Sequence, residues 1–175
     1  KEVSKRTMDL VMSFGERLSA YIIANSIENA EFLDSRQLIK TDDNFNSAKV
    51  QIEKSYKNIR EYFKKHKKLQ IITGFIGFSD ENKTTTLGRG GSDYSAALFG
   101  AALDAEEIEI WTDVDGIKTA DPRKVKKTFS LPNISYQEAM ELSHFGAKVI
   151  HPPTMQPALN KKIPIRIKNT LNPSF

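Results

Sequence analysis

The stretch that most restricts the fold runs Thr84-Thr85-Thr86-Leu87-Gly88-Arg89-Gly90-Gly91-Ser92-Asp93 and continues through Tyr94 to Leu103. It reads as a polar strand end, a glycine-dense turn and a helix start. Glycines at 88, 90 and 91 let the backbone approach a ligand closely and aim its N–H groups at an anion. Ser92 or Gly91 suits the helix cap, and Asp93 falls in the first turn, where the helix dipole favours a carboxylate. Ala96, Ala97, Leu98, Phe99, Ala101, Ala102 and Leu103 form a small-residue helical face suited to packing on a sheet. A ligand-free strand-to-helix turn is the ordinary alternative in α/β folds. Arg89 weighs against it, because a guanidinium between glycines is shaped for bidentate capture of carboxylate or phosphate. The turn is read as an anion site.

The rest of the chain alternates strands with helices. Leu10, Val11, Phe14, Leu18, Tyr21 and Ile22 recur at helical spacing and predict an amphipathic helix over about 6–28. Strands are expected at 31–34, 38–40, 69–73, 107–111 and 163–167, with a hairpin joining 75–78 to 83–87. Ile52, Tyr56, Ile59 and Phe63 mark a second helix. Ser135-x-x-Glu138 is a capping box that opens another through Leu142 and Phe145, and Pro152-Pro153 starts a helical turn. This order argues an α/β sheet with a largely parallel core. Ligands gather beyond the carboxyl ends of such strands, where the 88–93 turn and the 112–116 loop are expected.

Composition narrows the classes. With 39% hydrophobic and 27% charged residues, the 175-residue chain has enough apolar side chains for one packed core. Its net charge of +4 owes much to Lys64-Lys65-His66-Lys67-Lys68, a solvated helix end without the interleaved aromatics of a nucleic-acid surface. Cysteine is absent, which excludes disulfides and thiolate metal sites. No apolar run is long enough to cross a bilayer, so a cytoplasmic enzyme is expected, without membrane or nucleic-acid partners.

Several familiar motifs fail. There is no G-x-x-x-x-G-K-[ST], and Asp93 stands where a dinucleotide fingerprint needs its third glycine. Asp113-x-Asp115-Gly116 has its glycine too early for a calcium loop. His66, His144 and His151 share no ligand spacing, and no serine sits in a G-x-S-x-G elbow. Gly15, inside the first helix, costs about 1 kcal/mol relative to Ala, so something is expected to need the space it leaves. Glu16 lies beside that gap; a surface carboxylate paired with a nearby base is its plainer reading.

Taken together, Ser13-Phe14-Gly15-Glu16-Arg17-Leu18-Ser19, Gly74-Phe75-Ile76-Gly77, Thr84 to Ala97, Ile110 to Arg123, Tyr136 to Glu141, Phe145 to Pro152 and Ile163 to Asn172 resemble the aspartokinases of the amino-acid kinase superfamily. The motifs run in order over nearly the whole chain. The resemblance implies a three-layer αβα sandwich with a largely parallel sheet. It implies transfer of the γ-phosphoryl group of Mg-ATP to the β-carboxylate of L-aspartate, giving 4-phospho-L-aspartate on the route to lysine, threonine and methionine. By the same resemblance, Arg89 would grip the α-carboxylate of aspartate and Glu16 its α-ammonium, with Gly15 leaving room and Ser92 adding a polar contact. Asp93 matches the aspartate that holds catalytic lysines. Thr112 and Asp113 would touch the nucleoside, Arg123 and Lys148 the phosphates, with Val149 beside them. Lys118, on the adenine side, replaces an aromatic residue common in relatives.

The family's K-[FY]-G-G-[TS] motif and its regulatory ACT domains have no counterpart in these 175 residues. Residues 1–175 are thus expected to be the C-terminal larger part of one amino-acid kinase domain, truncated at the N-terminus. Alone they are expected to self-associate, as a homo-oligomer, and to lack kinase activity. Two other readings stay open. One is a non-catalytic module of this fold that binds an amino acid or nucleotide. The other is a sibling kinase for glutamate, acetylglutamate or a nucleoside monophosphate, against which the pairing of Glu16 with Arg89 speaks.

Overall fold

The computed structural model describes residues 3–121, 123–145 and 151–173. Helix α1 (Lys5–Ser26) is capped by Ser4, whose hydroxyl accepts from the Thr7 amide. Strand β1 (Ala30–Leu33), a 3₁₀ turn at Ser35–Gln37 and β2 (Lys40–Thr41) follow. Next come α2 (Ile52–Lys65), β3 (Leu69–Ile72) and a hairpin of β4 (Ile76–Ser79) with β5 (Thr84–Thr86). Beyond the glycine turn lie α3 (Gly91–Leu103) and β6 (Ile108–Thr112). Helix α4 (Tyr136–Phe145), a 3₁₀ turn at Pro152–Met155, α5 (Gln156–Lys161) and β7 (Ile165–Asn169) complete the order.

Pairing is mostly parallel, but the described strands fall into three hydrogen-bonded groups instead of one ladder. β1 pairs with β3 and β6 with β7, both parallel. β4 is central to the third group, parallel to β2 and antiparallel to β5. Side-chain hydroxyls stitch the first group to the third. The Thr73 hydroxyl accepts from the Ser35 amide, and the Ser35 hydroxyl donates to the Ile76 carbonyl. All of these groups are buried, so each bond spares a desolvated donor or acceptor.

Helix α3 is packed from two sides. Leu98, Phe99 and Ala102 join Leu33, Leu38, Ile39, Ile59 and Leu87 in one core cluster. Ala97 and Ala101 meet Ile108, Ala158 and Ile163 in another. The small-residue face therefore packs against α5 as well as strand residues. Gly100 permits the close approach, since a Cβ there would lie 2.6 Å from the Ile108 side chain.

Two expectations about α1 change. The helix forms, but the apolar stripe that predicts it is the exposed one: Leu18 is 59% and Ile22 62% accessible. The buried positions are Asp9, Ser13, Ala20 and Ala24, small or polar residues that let α1 approach the strands closely. Gly15 clears no space for a neighbour, because an added Cβ would meet nothing within 4 Å among the described residues. The cap of α3 also shifts. Gly90, at φ 70°, is the N-cap, and Ser92 lies inside the first turn.

Elsewhere the reading holds. The Ser135 amide donates to the Glu138 carboxylate while the Glu138 amide donates to the Ser135 hydroxyl, a complete capping box. The lysine run closes α2, where the Lys67 ammonium donates to the Phe63 carbonyl and meets the negative end of the helix dipole.

The two glycines Gly15 and Gly91 should respond oppositely to alanine. A Cβ at Gly91 would lie 2.6 Å from the Phe75 ring and 3.1 Å from Leu87. Gly91→Ala is expected to destabilise by about 1–3 kcal/mol through overpacking. Gly15→Ala should stabilise by about 0.5–1 kcal/mol through helix propensity. Equilibrium unfolding in urea measures both, and a more stable Gly91→Ala would overturn the packing described.

Candidate active site

The glycine turn forms one wall of the site. Gly88 (φ 75°) and Gly90 (φ 70°) both use the left-handed region, which reverses the chain between β5 and α3. The turn is locked by Gly91 N–H donating to the Gly88 carbonyl and Tyr94 N–H to the Gly90 carbonyl. The amides of Ser92 and Asp93 have no acceptor among the described residues, so the amino end of α3 is free to bind an anion.

Phe75 forms the opposing lip. Its φ of 66° is rare for a bulky residue. It is held there by the Ser95 hydroxyl on its amide, the Leu87 amide on its carbonyl, and its ring against Gly91. Strain that the surroundings over-determine in this way is common at ligand sites.

The turn, Phe75 and α1 enclose an open cleft of about 700 Å³, lined by Met8, Met12, Glu16, Asn46, Phe75, Thr86 and residues 88–93. Four residues singled out by the sequence, Glu16, Arg89, Ser92 and Asp93, thus share one cavity. Among the described residues, Glu16 and Asp93 have no cationic partner and Arg89 no anionic one. Partial burial pushes the carboxyls of Glu16 and Asp93 above their ordinary range. Two uncompensated carboxylates that share a cleft with a free guanidinium and free helix amides can take up a molecule that carries both signs of charge.

The other predicted positions do not line this cleft. Thr112 ends β6, and its hydroxyl donates to the Asp113 carboxylate at 3.2 Å. β6 starts beside Gly100 and carries Ile110 along the Ala97–Ala101 face of α3. Lys118 bridges to Ser130 and lies 3.9 Å from Asp115. Arg123 is turned onto Asp121 at 3.0 Å, with its own side chain 82% exposed. That pairing leaves it uncommitted to any other anion. Lys148 and Val149 lie outside the described residues.

Sequence reasoning missed Met8, Met12, Asn46, Phe75 and Thr86 as lining residues, and it missed Asp9 beneath them. Asn46 carried a signal in hindsight, since its φ of 69° is a conformation that Asn tolerates and most residues avoid.

A doubly packed helix N-capped by Gly90, with amides and charged side chains unpartnered at its amino end among the described residues, could hold an anion within an α/β fold. The model described as the amino acid kinase family matches residues 1–169, and the chain belongs to that family. Among curated proteins it is 45% identical over 168 residues to a bifunctional aspartokinase/homoserine dehydrogenase of Buchnera aphidicola, covering 93% of this chain and 21% of that protein. It is 39% identical over 173 residues to aspartokinase 1 of Bacillus subtilis, covering 96% of this chain and 42% of that one. Among solved structures, E. coli aspartokinase III in complex with aspartate and ADP (R-state) matches with a TM-score of 0.90 at 37% identity, covering 98% of this chain and 40% of that one. The chain therefore spans less than half the length of these relatives.

The raised Glu16 carboxyl makes a prediction for the unliganded protein. A group whose folded pKa lies above its unfolded value opposes folding once both states are ionised; the folded state is favoured as pH falls through that window. Glu16→Gln should therefore be more stable than the native chain at neutral pH. The difference should vanish below the ordinary glutamate range. Urea midpoints at pH 7 and pH 4 measure this, and equal differences at both would contradict it.

Proposed function

We propose that this chain is the substrate-gripping part of an aspartate kinase, which transfers the γ-phosphoryl group of Mg-ATP to the β-carboxylate of L-aspartate. The observation that supports this best is the meeting of unpaired Glu16 and Arg89 in one cleft. L-aspartate is a zwitterion at its α-carbon with a further carboxylate beyond. The Arg89 guanidinium takes the α-carboxylate, Glu16 the α-ammonium, and the Ser92 hydroxyl gives a further polar contact. E. coli aspartokinase III, a structural neighbour, was solved with aspartate and ADP, the acceptor substrate and the nucleotide product of this reading.

The chemistry asks little of acid–base groups. A β-carboxylate is ionised at neutral pH, so its oxygen attacks the γ-phosphorus without a general base. The new O–P bond forms as the bond to the β–γ bridging oxygen breaks, and ADP leaves with that electron pair. The protein aligns two anions and neutralises charge as it moves to the bridging oxygen. Thr112, Asp113 and Lys118 are assigned to the nucleoside, and Arg123, Lys148 and Val149 to the phosphate side. For Arg123 this requires exchanging Asp121 for phosphate. Asp93 orients the catalytic cations. Mg²⁺ on the nucleotide supplies further neutralisation, and no residue of this chain is assigned to it. A homo-oligomeric, cytoplasmic enzyme of lysine, threonine and methionine synthesis completes the proposal.

An N-acetylated substrate is disfavoured by Glu16, since it offers no ammonium to pair with that carboxylate. In the protein carrying this chain, Arg89→Lys should raise the aspartate KM about ten- to a hundred-fold, the loss of a charge-assisted bidentate contact, before it alters the ATP KM. Equal effects on both substrates in steady-state kinetics would sink the assignment. Lys148→Ala should lower kcat by the equivalent of about 2–4 kcal/mol. Near-normal turnover would make Lys148 a bystander.

A further inference from the structure

Asp9 is the one fully buried carboxylate of α1, at 0% exposed. No lysine or arginine pairs with it among the described residues. Its charge is met by donors alone: the backbone amide and side-chain amide of Asn46, and the backbone amide (2.9 Å) and hydroxyl (2.8 Å) of Thr86. A carboxylate oxygen can only accept when ionised, and every group turned toward Asp9 donates, so the constellation is specific for the anion.

These donors are not arbitrary. Both Asn46 and Thr86 line the cleft, and both touch the glycine turn. Thr86 is the last residue of β5, two positions before Gly88. Asn46, itself at φ 69°, presents its carbonyl to Gly88, where a Cβ would come within 3.0 Å. The turn that carries Arg89 thus leans on two residues that Asp9 holds. Asp9 also sits seven residues before Glu16 on the same helix, two turns along one face, or about 10.5 Å of helix rise.

We propose that Asp9 is a positioning residue that fixes the separation of Glu16 from Arg89, and so matches the cleft to the α-ammonium and α-carboxylate of an amino acid. This rests on the assignment of Glu16 and Arg89 to aspartate. Asp9 touches neither substrate; it joins the helix bearing one ligand to the turn bearing the other. The apolar stripe of α1 faces outward, so ordinary core packing does not set this spacing.

The test is kinetic and thermodynamic, on the full protein that carries this chain. Asp9→Asn keeps the shape but turns an amide toward groups that all donate. It should raise the aspartate KM, and the aspartate dissociation constant by calorimetry without nucleotide, by about ten-fold, with the ATP KM changed by less than about two-fold. In a Glu16→Gln background the same substitution should add less than about two-fold, because the partner it positions is already gone. Thr86→Val removes one donor without burying an unpaired charge. It should show the same split at about three-fold and serves if Asp9→Asn does not fold. An unchanged aspartate KM in these variants overturns the proposal. So does a loss shared equally by both substrates, or a full effect that persists in the Glu16→Gln background. If Glu16→Gln and Arg89→Lys themselves leave aspartate binding untouched, the aspartate assignment falls and Asp9 falls with it. If they weaken it while the Asp9 and Thr86 variants do not, only the role of Asp9 is lost.

Discussion

Everything about the cleft depends on how α1 is held, and α1 is held by a buried charge. A helix usually docks through an apolar stripe, which is tolerant of small slides because the hydrophobic effect has no direction. Here the face turned inward offers Asp9, Ser13, Ala20 and Ala24, and the large apolar side chains look outward. Alanines permit closeness without dictating register. The carboxylate dictates it, because an ionised oxygen left without donors in the interior costs several kcal/mol. A small shift of α1 would break several bonds together, so the geometry is set sharply. A second charge cluster works alongside: Asp34 accepts from the Arg36 guanidinium and lies 3.4 Å from Arg17 of α1.

The same logic explains the unpaired groups above. A guanidinium and two carboxylates within one cavity would ordinarily collapse into ion pairs with neighbours, as Arg123 does onto Asp121 and Lys161 onto Asp104. Glu16 and Arg89 do not: neither has an ion-pair partner among the described residues. Partial burial raises the Glu16 carboxyl, a cost that the folded chain carries. Phe75, forced to a left-handed conformation at the lip, is a further cost of the same kind.

Legibility in the sequence followed how local each signal was. The glycine turn announced itself because three glycines and an arginine in four positions have few structural uses, and the cleft does gather there. The capping box and the hairpin were equally local. Asp9 was illegible: one acid between Met8 and Leu10 looks like any solvated helix position, and its donors lie 37 and 77 residues away. The inward face of α1 was illegible for a related reason. Periodicity reports that a stripe exists, not which stripe faces the strands, and the helix chose the smaller residues for closeness. Gly15 makes room for no protein neighbour among the described residues, which a helical glycine alone could not tell. The division of strands into three groups depended on long-range pairing, which no local pattern encodes. The roles of Thr112, Asp113, Lys118, Arg123, Lys148 and Val149 came from resemblance alone.

That division has a bearing on how the molecule breathes. Strands in one ladder open together, because breaking any rung exposes the next. Here the β1–β3 pair and the β2–β4–β5 group meet through the Ser35–Thr73 hydroxyls and through helix packing, with no shared rungs. The boundary between these cooperative units runs past Thr73, Gly74 and Phe75, beneath the cleft. One core cluster holds Leu33, Leu38, Ile39 and Leu87 together across that boundary. At this seam side chains, not ladder bonds, carry the coupling between the strands beneath the cleft.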